Sequence, residues 1–201
     1  MIALIDYGIG NLRSVYKALA AVGAEVCLTA DPTLILEADK VVLPGVGAFG
    51  DGMAGLRRAG LVSVLHTVVE RATPLLGICL GMQLLLQASQ EMGEHLGLGI
   101  LPGQVRRFPG EGLKVPQTGW NQIHPARQTL LLAGLPPDSY VYFNHGYYCD
   151  PAEAGDVLAV TSYGLAYASV IGRGRTYGVQ FHPEKSQQVG LAILRNFVEQ
   201  G

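Results

Sequence analysis

A chain of 201 residues with 49% hydrophobic and 15% charged residues carries enough apolar surface for one domain with a substantial core. Its net charge of −2 gives no basic footprint for nucleic acid, and no apolar run reaches the length needed to cross a bilayer. The opening Met1-Ile2-Ala3-Leu4-Ile5-Asp6 lacks the basic start of a secretory leader, and three widely spaced cysteines without a C-x-x-C pair point to a reducing cytoplasm, not to disulfides or zinc.

Residues 1–6 predict a strand that runs into Asp6-Tyr7-Gly8-Ile9-Gly10-Asn11. Leu12, Val15, Tyr16, Leu19 and Val22 follow at helical spacing, with Asn11 as N-cap and Gly23 as the stop. Residues 25–29 read as a second strand, and Asp31-Pro32 opens a short helix through a cap and an N1 proline. A third strand over 40–43 leads into Pro44-Gly45-Val46-Gly47-Ala48-Phe49-Gly50. Helical pattern covers 51–72 with a break near Gly60, and 75–78 is a fourth strand. This alternation predicts a parallel sheet with helices on both faces and a site built from loops at the strand C-termini.

Beyond about residue 95 the pattern changes. Strands are predicted at 104–108, 115–123, 140–148, 157–162, 166–171 and 176–181, separated by Gly, Pro and Asp turns. Residues 128–133 suggest a short helix. Ser186 is placed to cap a last helix with Val189, Ala192, Ile193 and Phe197 on one face. No repeat or linker divides the chain, which reads as one domain over 1–201.

Cys79 stands between the fourth strand and an amphipathic helix pattern that begins at Leu80-Gly81-Met82-Gln83, with Gly77 and Gly81 two residues away on either side. This is the G-x-S-x-G nucleophile elbow with sulfur in place of oxygen. Side chains at the two glycine positions would collide with neighbouring backbone. The turn also aims the thiol at the positive end of the following helix, which favours thiolate. The alternative is a buried structural cysteine between two packing glycines.

Three further stretches complete a chemistry. In Phe181-His182-Pro183-Glu184, His182 supplies a base near neutrality and Glu184 an acid to hold its tautomer. The Gly45-Val46-Gly47 loop is placed to aim a backbone N–H at an oxyanion, with Leu80 donating the other. A phosphate-binding turn is the other reading of that loop, although no G-x-G-x-x-G follows. Asn144-His145-Gly146-Tyr147-Tyr148 reads either as the wall of a small polar pocket or as core packing. His66, His95 and His124 read as surface or satisfied core residues, with His124-Pro125 as a turn.

GICLGMQ together with GVQFHPEKS resembles the triad (class I) glutamine amidotransferases over essentially the whole chain. IDYGIGNLRSV at 5–15, LPGVGAFG at 43–50 and GWN at 119–121 are similar to the glutaminase subunits of imidazole glycerol phosphate synthases, of histidine biosynthesis. The resemblance implies a flavodoxin-like three-layer α/β sandwich, with a mixed, mostly parallel central sheet and an additional antiparallel region in the C-terminal half. It implies a Cys79–His182–Glu184 triad, oxyanion donors at Gly47 and Leu80, and glutamine contacts at Gln83, Glu91, Gly146 and Tyr147. It implies no cofactor and no metal. It further implies a partner, a separate (βα)8-barrel cyclase subunit that would receive the ammonia, with Trp120 and Asn121 facing it as part of a heterodimer. Partner ligand would stimulate hydrolysis by flipping a peptide near Val46-Gly47. Two segments depart from the family: Val115-Pro116-Gln117-Thr118 replaces a proline-histidine-methionine pattern, and Asn144-His145-Gly146 replaces valine-histidine-serine. Alternatives are a glutaminase serving another synthase, a DJ-1-like cysteine hydrolase or redox sensor, and a scaffold that only stabilises a barrel partner.

Overall fold

Four successive apolar residues form β1 (Ile2–Ile5), and their side chains divide between two cores because successive Cβ atoms point to opposite faces. Ala3 and Ile5 enter one core, Ile2 and Leu4 the other. The computed structural model describes residues 1–110 and 112–200, so Glu111 and Gly201 of the expected 1–201 unit lie outside the described residues. The chain continues through α1 (Leu12–Ala21), β2 (Val26–Thr29), α2 (Pro32–Glu37), β3 (Lys40–Leu43), α3 (Phe49–Arg58), α4 (Val62–Glu70) and β4 (Leu75–Ile78). Each element predicted in this half is present. The break near Gly60 separates α3 from α4, and Gly60 takes φ +68°. Asn11 occupies the N-cap of α1 but its side chain makes no cap bond, while its carbonyl accepts from Ser14 and Val15.

The second half contains α5 (Leu80–Leu84), β5 (Ala88–Ser89), β6 (His95–Leu96), β7 (Gly103–Arg107), β8 (Gln117–Gln122), β9 (His124–Pro125) and β10 (Tyr140–His145). It ends with β11 (Tyr147–Pro151), β12 (Val157–Tyr163), β13 (Leu165–Arg173), β14 (Thr176–Val179) and α6 (Gln187–Gln200). Among the described residues, twelve strands form one mixed sheet whose path runs β2-β1-β3-β4-β14-β13-β11-β7-β5-β6. The β2-β1-β3-β4-β14 stretch is parallel throughout, and β13, β11 and β12 extend it with antiparallel pairs. A separate two-stranded sheet pairs β8 with β10. Helices α2 to α5 contribute Ile35, Met53, Leu56, Leu65 and Leu84 to one core. Helices α1 and α6 contribute Leu19, Ile193, Leu194 and Phe197 to the other. The result is the expected three-layer α/β sandwich.

Five local expectations are corrected. The strand predicted over 140–148 is two strands, β10 and β11, which part at Gly146 and join different sheets. Apolar alternation carries no mark of which partner each half takes. His124-Pro125 is not a turn but the short edge strand β9, paired with β12 at Ala159 and Val160. The helix over 128–133 is only a 3-10 turn, Leu130–Leu132, capped by the Thr129 hydroxyl. Ser186 does not cap α6 with its side chain; its hydroxyl donates to the His182 carbonyl at 2.6 Å and accepts from Tyr142 N–H at 2.9 Å. Helix α5 is five residues long and buried on every side, so it shows no amphipathic face.

That short helix crosses closely over β3. A Cβ on Gly81 would lie 1.9 Å from the Leu43 carbonyl oxygen, an overlap that only backbone movement relieves. Gly155, by contrast, has open space where its Cβ would be. Gly81→Ala should therefore lower the melting temperature by roughly 5 °C or more, while Gly155→Ala leaves it within about 2 °C, as differential scanning calorimetry would record.

Candidate active site

The loops after β1, β3, β4 and β14 meet at one end of the parallel strands, the end where open α/β sheets bind ligands. At the end of β4, Cys79 takes φ +54° and ψ −109°. A non-glycine residue held in such a region costs on the order of 1–3 kcal/mol, so surrounding structure must impose it. Cys79 N–H donates to the Val179 carbonyl at 2.8 Å, tying the turn to β14. A Cβ on Gly77 would lie 2.6 Å from the Gly81 carbonyl oxygen, which leaves only glycine for the close return of the chain. Both glycines of the elbow are thus demanded by space.

His182 follows β14. Its Nδ1 lies 2.9 Å from Glu184 Oε1, with side chains only 4% and 1% exposed, and the ring is also hydrogen-bonded to Cys79. Burial opposes the charged imidazolium, but hydrogen bonds to Cys79 and Glu184 and the negative charge of both outweigh it. They push the His182 pKa up to about 10. The resting proton therefore sits on His182 at neutral pH. Among the described residues, the second Glu184 oxygen has no partner, so the carboxylate's pairing runs wholly through His182.

A cavity of about 120 Å³ opens over this group. Val46, Gly47, Cys79 and Leu80 line one side; Gln83, Glu91, Gly146 and Tyr147 line another, beside His145 and Lys185. Gly47 takes φ +93°, although a Cβ there would touch nothing within 4 Å. Its requirement for glycine is conformational. Gln83 Nε2 donates to the Tyr147 carbonyl at 3.1 Å and to Gln180 Oε1 at 3.0 Å. Glu91 Oε2 accepts from Phe49 N–H at 2.7 Å, tying the end of the Gly47 loop to the segment before β6. A larger open groove of about 730 Å³ lies at Pro125–Gly134, but Arg127 is its one ionisable side chain. Cys79, Glu91, His145, His182 and Lys185 gather instead around the smaller cavity.

One residue that the sequence reading left out of the site stands in it, and one that it offered as pocket wall or core packing is pocket wall. Gln180 is fully buried and places Nε2 3.8 Å from Cys79 Sγ. It belongs to the GVQFHPE motif, so its signal was visible, but as packing between better-known groups. His145 lines the cavity, and burial lowers its pKa to about 4, so it is neutral and donates from Nδ1 to the Tyr147 carbonyl at 2.7 Å. His66 and His95 are partly exposed and His124 is exposed, all outside the cavity.

The model of the "Glutamine amidotransferase class-I" family matches residues 3–200. The chain belongs to the class-I glutamine amidotransferases. Curated relatives fix the branch. It is 52% identical over 198 residues to an imidazole glycerol phosphate synthase subunit HisH of Moorella thermoacetica, covering 98% of this chain and 94% of that protein. A HisH subunit of Geobacter metallireducens is 50% identical over 202 residues, covering 98% and 96%. Among solved structures, one titled as a glutamine amidotransferase matches with a TM-score of 0.77 at 20% identity, over 99% of this chain and 98% of that one. The PurLQS structure from Thermotoga maritima matches at 0.76 and 16%, over 98% and 96%. These two speak for the fold alone.

The two residues expected to face a partner lie on β8 in the small sheet. Trp120 is 46% exposed and meets Tyr142 edge-on, with ring centroids 6.1 Å apart. Tyr142 in turn lies 6.5 Å from the His182 ring and under Lys185 Nζ at 5.6 Å. The Asn121 side chain works inside the chain, donating to the Ser162 carbonyl at 2.9 Å and accepting from Gln122 N–H at 2.8 Å. Gln117, in one departing segment, is buried and accepts from Tyr167 Oη at 2.9 Å.

His182 keeps a proton in the folded glutaminase between its ordinary value of 6.5 and about 10 that it lacks when unfolded. Its own contribution to stability is therefore complete below about pH 6.5 and is lost as pH rises through about 10. Cys79→Ala removes one hydrogen bond and one opposing charge. The His182 ring resonances in an NMR titration should then show a midpoint well below that of the parent chain.

Proposed function

We propose that this chain hydrolyses glutamine through Cys79, His182 and Glu184, and hands the ammonia to a (βα)8-barrel cyclase subunit in histidine biosynthesis. The observation that carries the proposal is the buried contact of His182 with both Cys79 and Glu184 at the mouth of the cavity. Family membership and identity to HisH subunits support the same reading. Cys79 sulfur attacks the side-chain amide carbon, and N–H groups at Gly47 and Leu80 take up the oxyanion; one such donor is worth roughly 10²–10³ in rate. Collapse of the tetrahedral intermediate breaks the C–N bond, and His182 gives its proton to the departing ammonia. Water then attacks the glutamyl thioester, His182 takes the proton, and glutamate leaves with Cys79 restored. Glu184 orients the ring throughout.

Gln83, Glu91 and backbone at Gly146 and Tyr147 hold the amino-acid end of glutamine. The small cavity suits one polar side chain, and no cofactor enters these steps. Trp120 with Tyr142 offers the cyclase an aromatic surface beside the triad, while Asn121 supports that surface from within. The heterodimer works in the cytoplasm, as the cysteine pattern suggests. Among the described residues, no helix is long and apolar enough to cross a membrane. Ligand binding on the cyclase flips the peptide near Val46-Gly47 and completes the oxyanion hole.

Glutamate formation, measured for this chain alone and with a barrel cyclase plus its nucleotide substrate, tests the proposal. A large stimulation that disappears in Cys79→Ala is expected, with Glu184→Gln lowering kcat by roughly 10⁴-fold. Turnover without stimulation would redirect the ammonia to another synthase. Absence of turnover, with Cys79 still open to alkylation, would favour a redox-sensing cysteine. Trp120→Ala should weaken cyclase binding by roughly tenfold or more in isothermal titration calorimetry, leaving the fold unchanged.

A further inference from the structure

The motif at 5–15 distinguishes the subfamily, yet none of its residues enters the steps above. Tyr7 lies in the loop after β1 and is 5% exposed. Its hydroxyl donates to the Pro44 carbonyl at 2.7 Å, at the first residue of the segment that leads to Gly47. The hydroxyl also fills the space beside Gly45: a Cβ there would lie 2.7 Å from Tyr7 Oη, 2.8 Å from Leu80 Cβ and 3.0 Å from Gly81 N. Gly45 is thus wedged between the phenol and the elbow. From the other side, Gly55 leaves room for the Tyr7 ring and backbone, its virtual Cβ lying 2.9 Å from Tyr7 O and 3.0 Å from Cδ2. A Cβ on Gly10 would lie 3.5 Å from the Pro44 ring. Burial, and then the charge of Cys79, hold the phenol well above its ordinary pKa, so it remains a donor.

We propose that Tyr7 is a positioning residue of the glutaminase, whose hydroxyl clamps Pro44-Gly45 against the elbow and so sets the Gly47 N–H relative to Leu80. The proposal rests on the glutaminase reading above. Glu91 pins the far end of the same segment through Phe49 N–H, which leaves Val46 and Gly47 as the residues between the two pins that line the cavity. A flip there alters the oxyanion donor while both anchors stay in place. Displacement of such a donor by about 1 Å costs on the order of 10²-fold in rate, so a single hydrogen bond at Pro44 has leverage on catalysis.

Tyr7→Phe keeps the ring and removes only the hydroxyl. In the complex with cyclase and its nucleotide substrate, kcat for glutamine hydrolysis should fall by roughly tenfold or more, with KM within about threefold. Alkylation of Cys79 by iodoacetamide should proceed within about twofold of the parent rate, because the Cys79–His182–Glu184 contacts are untouched. Unchanged kcat would overturn the clamp. So would a loss carried by KM, or a parallel loss of kcat and alkylation, which would mark a general disturbance of the elbow. Tyr7→Leu separates ring from hydroxyl: the clamp requires that it lose at least as much kcat as Tyr7→Phe, and activity above that of Tyr7→Phe would refute it. If the parent complex itself forms no glutamate from glutamine, the glutaminase reading fails first and the clamp falls with it.

Discussion

A cysteine at φ +54° projects its sulfur off the end of β4 because the chain must reverse within two residues and then run back across β3. That reversal brings the Gly77 and Gly81 backbones into contact and lays Gly81 against the Leu43 carbonyl, leaving no volume for a side chain at either point. The strain at Cys79 is imposed by packing on both sides, in a core where Leu76, Ile78 and Leu80 are almost wholly buried. Once the turn exists, β14 supplies the rest. Its parallel pairing with β4 sets Val179 beside Ile78, and the chain leaving β14 carries Gln180 and His182 to the sulfur.

Behind the sulfur runs a buried polar chain. Gln180 bonds to Cys79 and Gln83, Gln83 to the Tyr147 carbonyl, and His145 to the same carbonyl. His145 also approaches Tyr167 at 3.3 Å, and Tyr167 donates to Gln117. Each member is buried or partly buried and partnered, so the network holds the cavity wall in one arrangement. It also accounts for the departure at Gln117: the amide gives Tyr167 an acceptor inside the chain. The departure at Gly146 removes a side chain where β10 and β11 part, and the wall there is made of backbone.

The split at Gly146 has a second consequence. It frees β10 to pair with β8 outside the main sheet, and this small sheet carries Trp120 and Tyr142 to the surface within reach of the His182 ring. Trp120 and His182 are thus joined through the Tyr142 ring. A partner seated on Trp120 would lie one ring, Tyr142, away from His182.

Much of this was legible in the residues. The glycines around Cys79 declared the elbow, because no other residue type tolerates that spacing of backbones. The continuous apolar runs declared buried parallel strands, and His182 and Glu184 declared an acid-base pair by their spacing. Gly60 and Gly23 marked where helices stop. What the residues did not carry was partnership. Alternating strands at 140–148 look the same whether they stay in one sheet or change sheets. The Ser186 hydroxyl has the chemistry of a cap but finds Tyr142 and His182 closer, and Asn121 reads as a surface group until Ser162 is placed beside it. Tyr7 and Gln180 stand inside visible motifs, but their roles stay hidden for the same reason: each bonds to a residue at least thirty-seven positions away. Local conformation and burial follow from a residue and its neighbours in the chain. The partners of a buried hydroxyl or amide depend on which strands lie side by side, and only the packed sheet decides that.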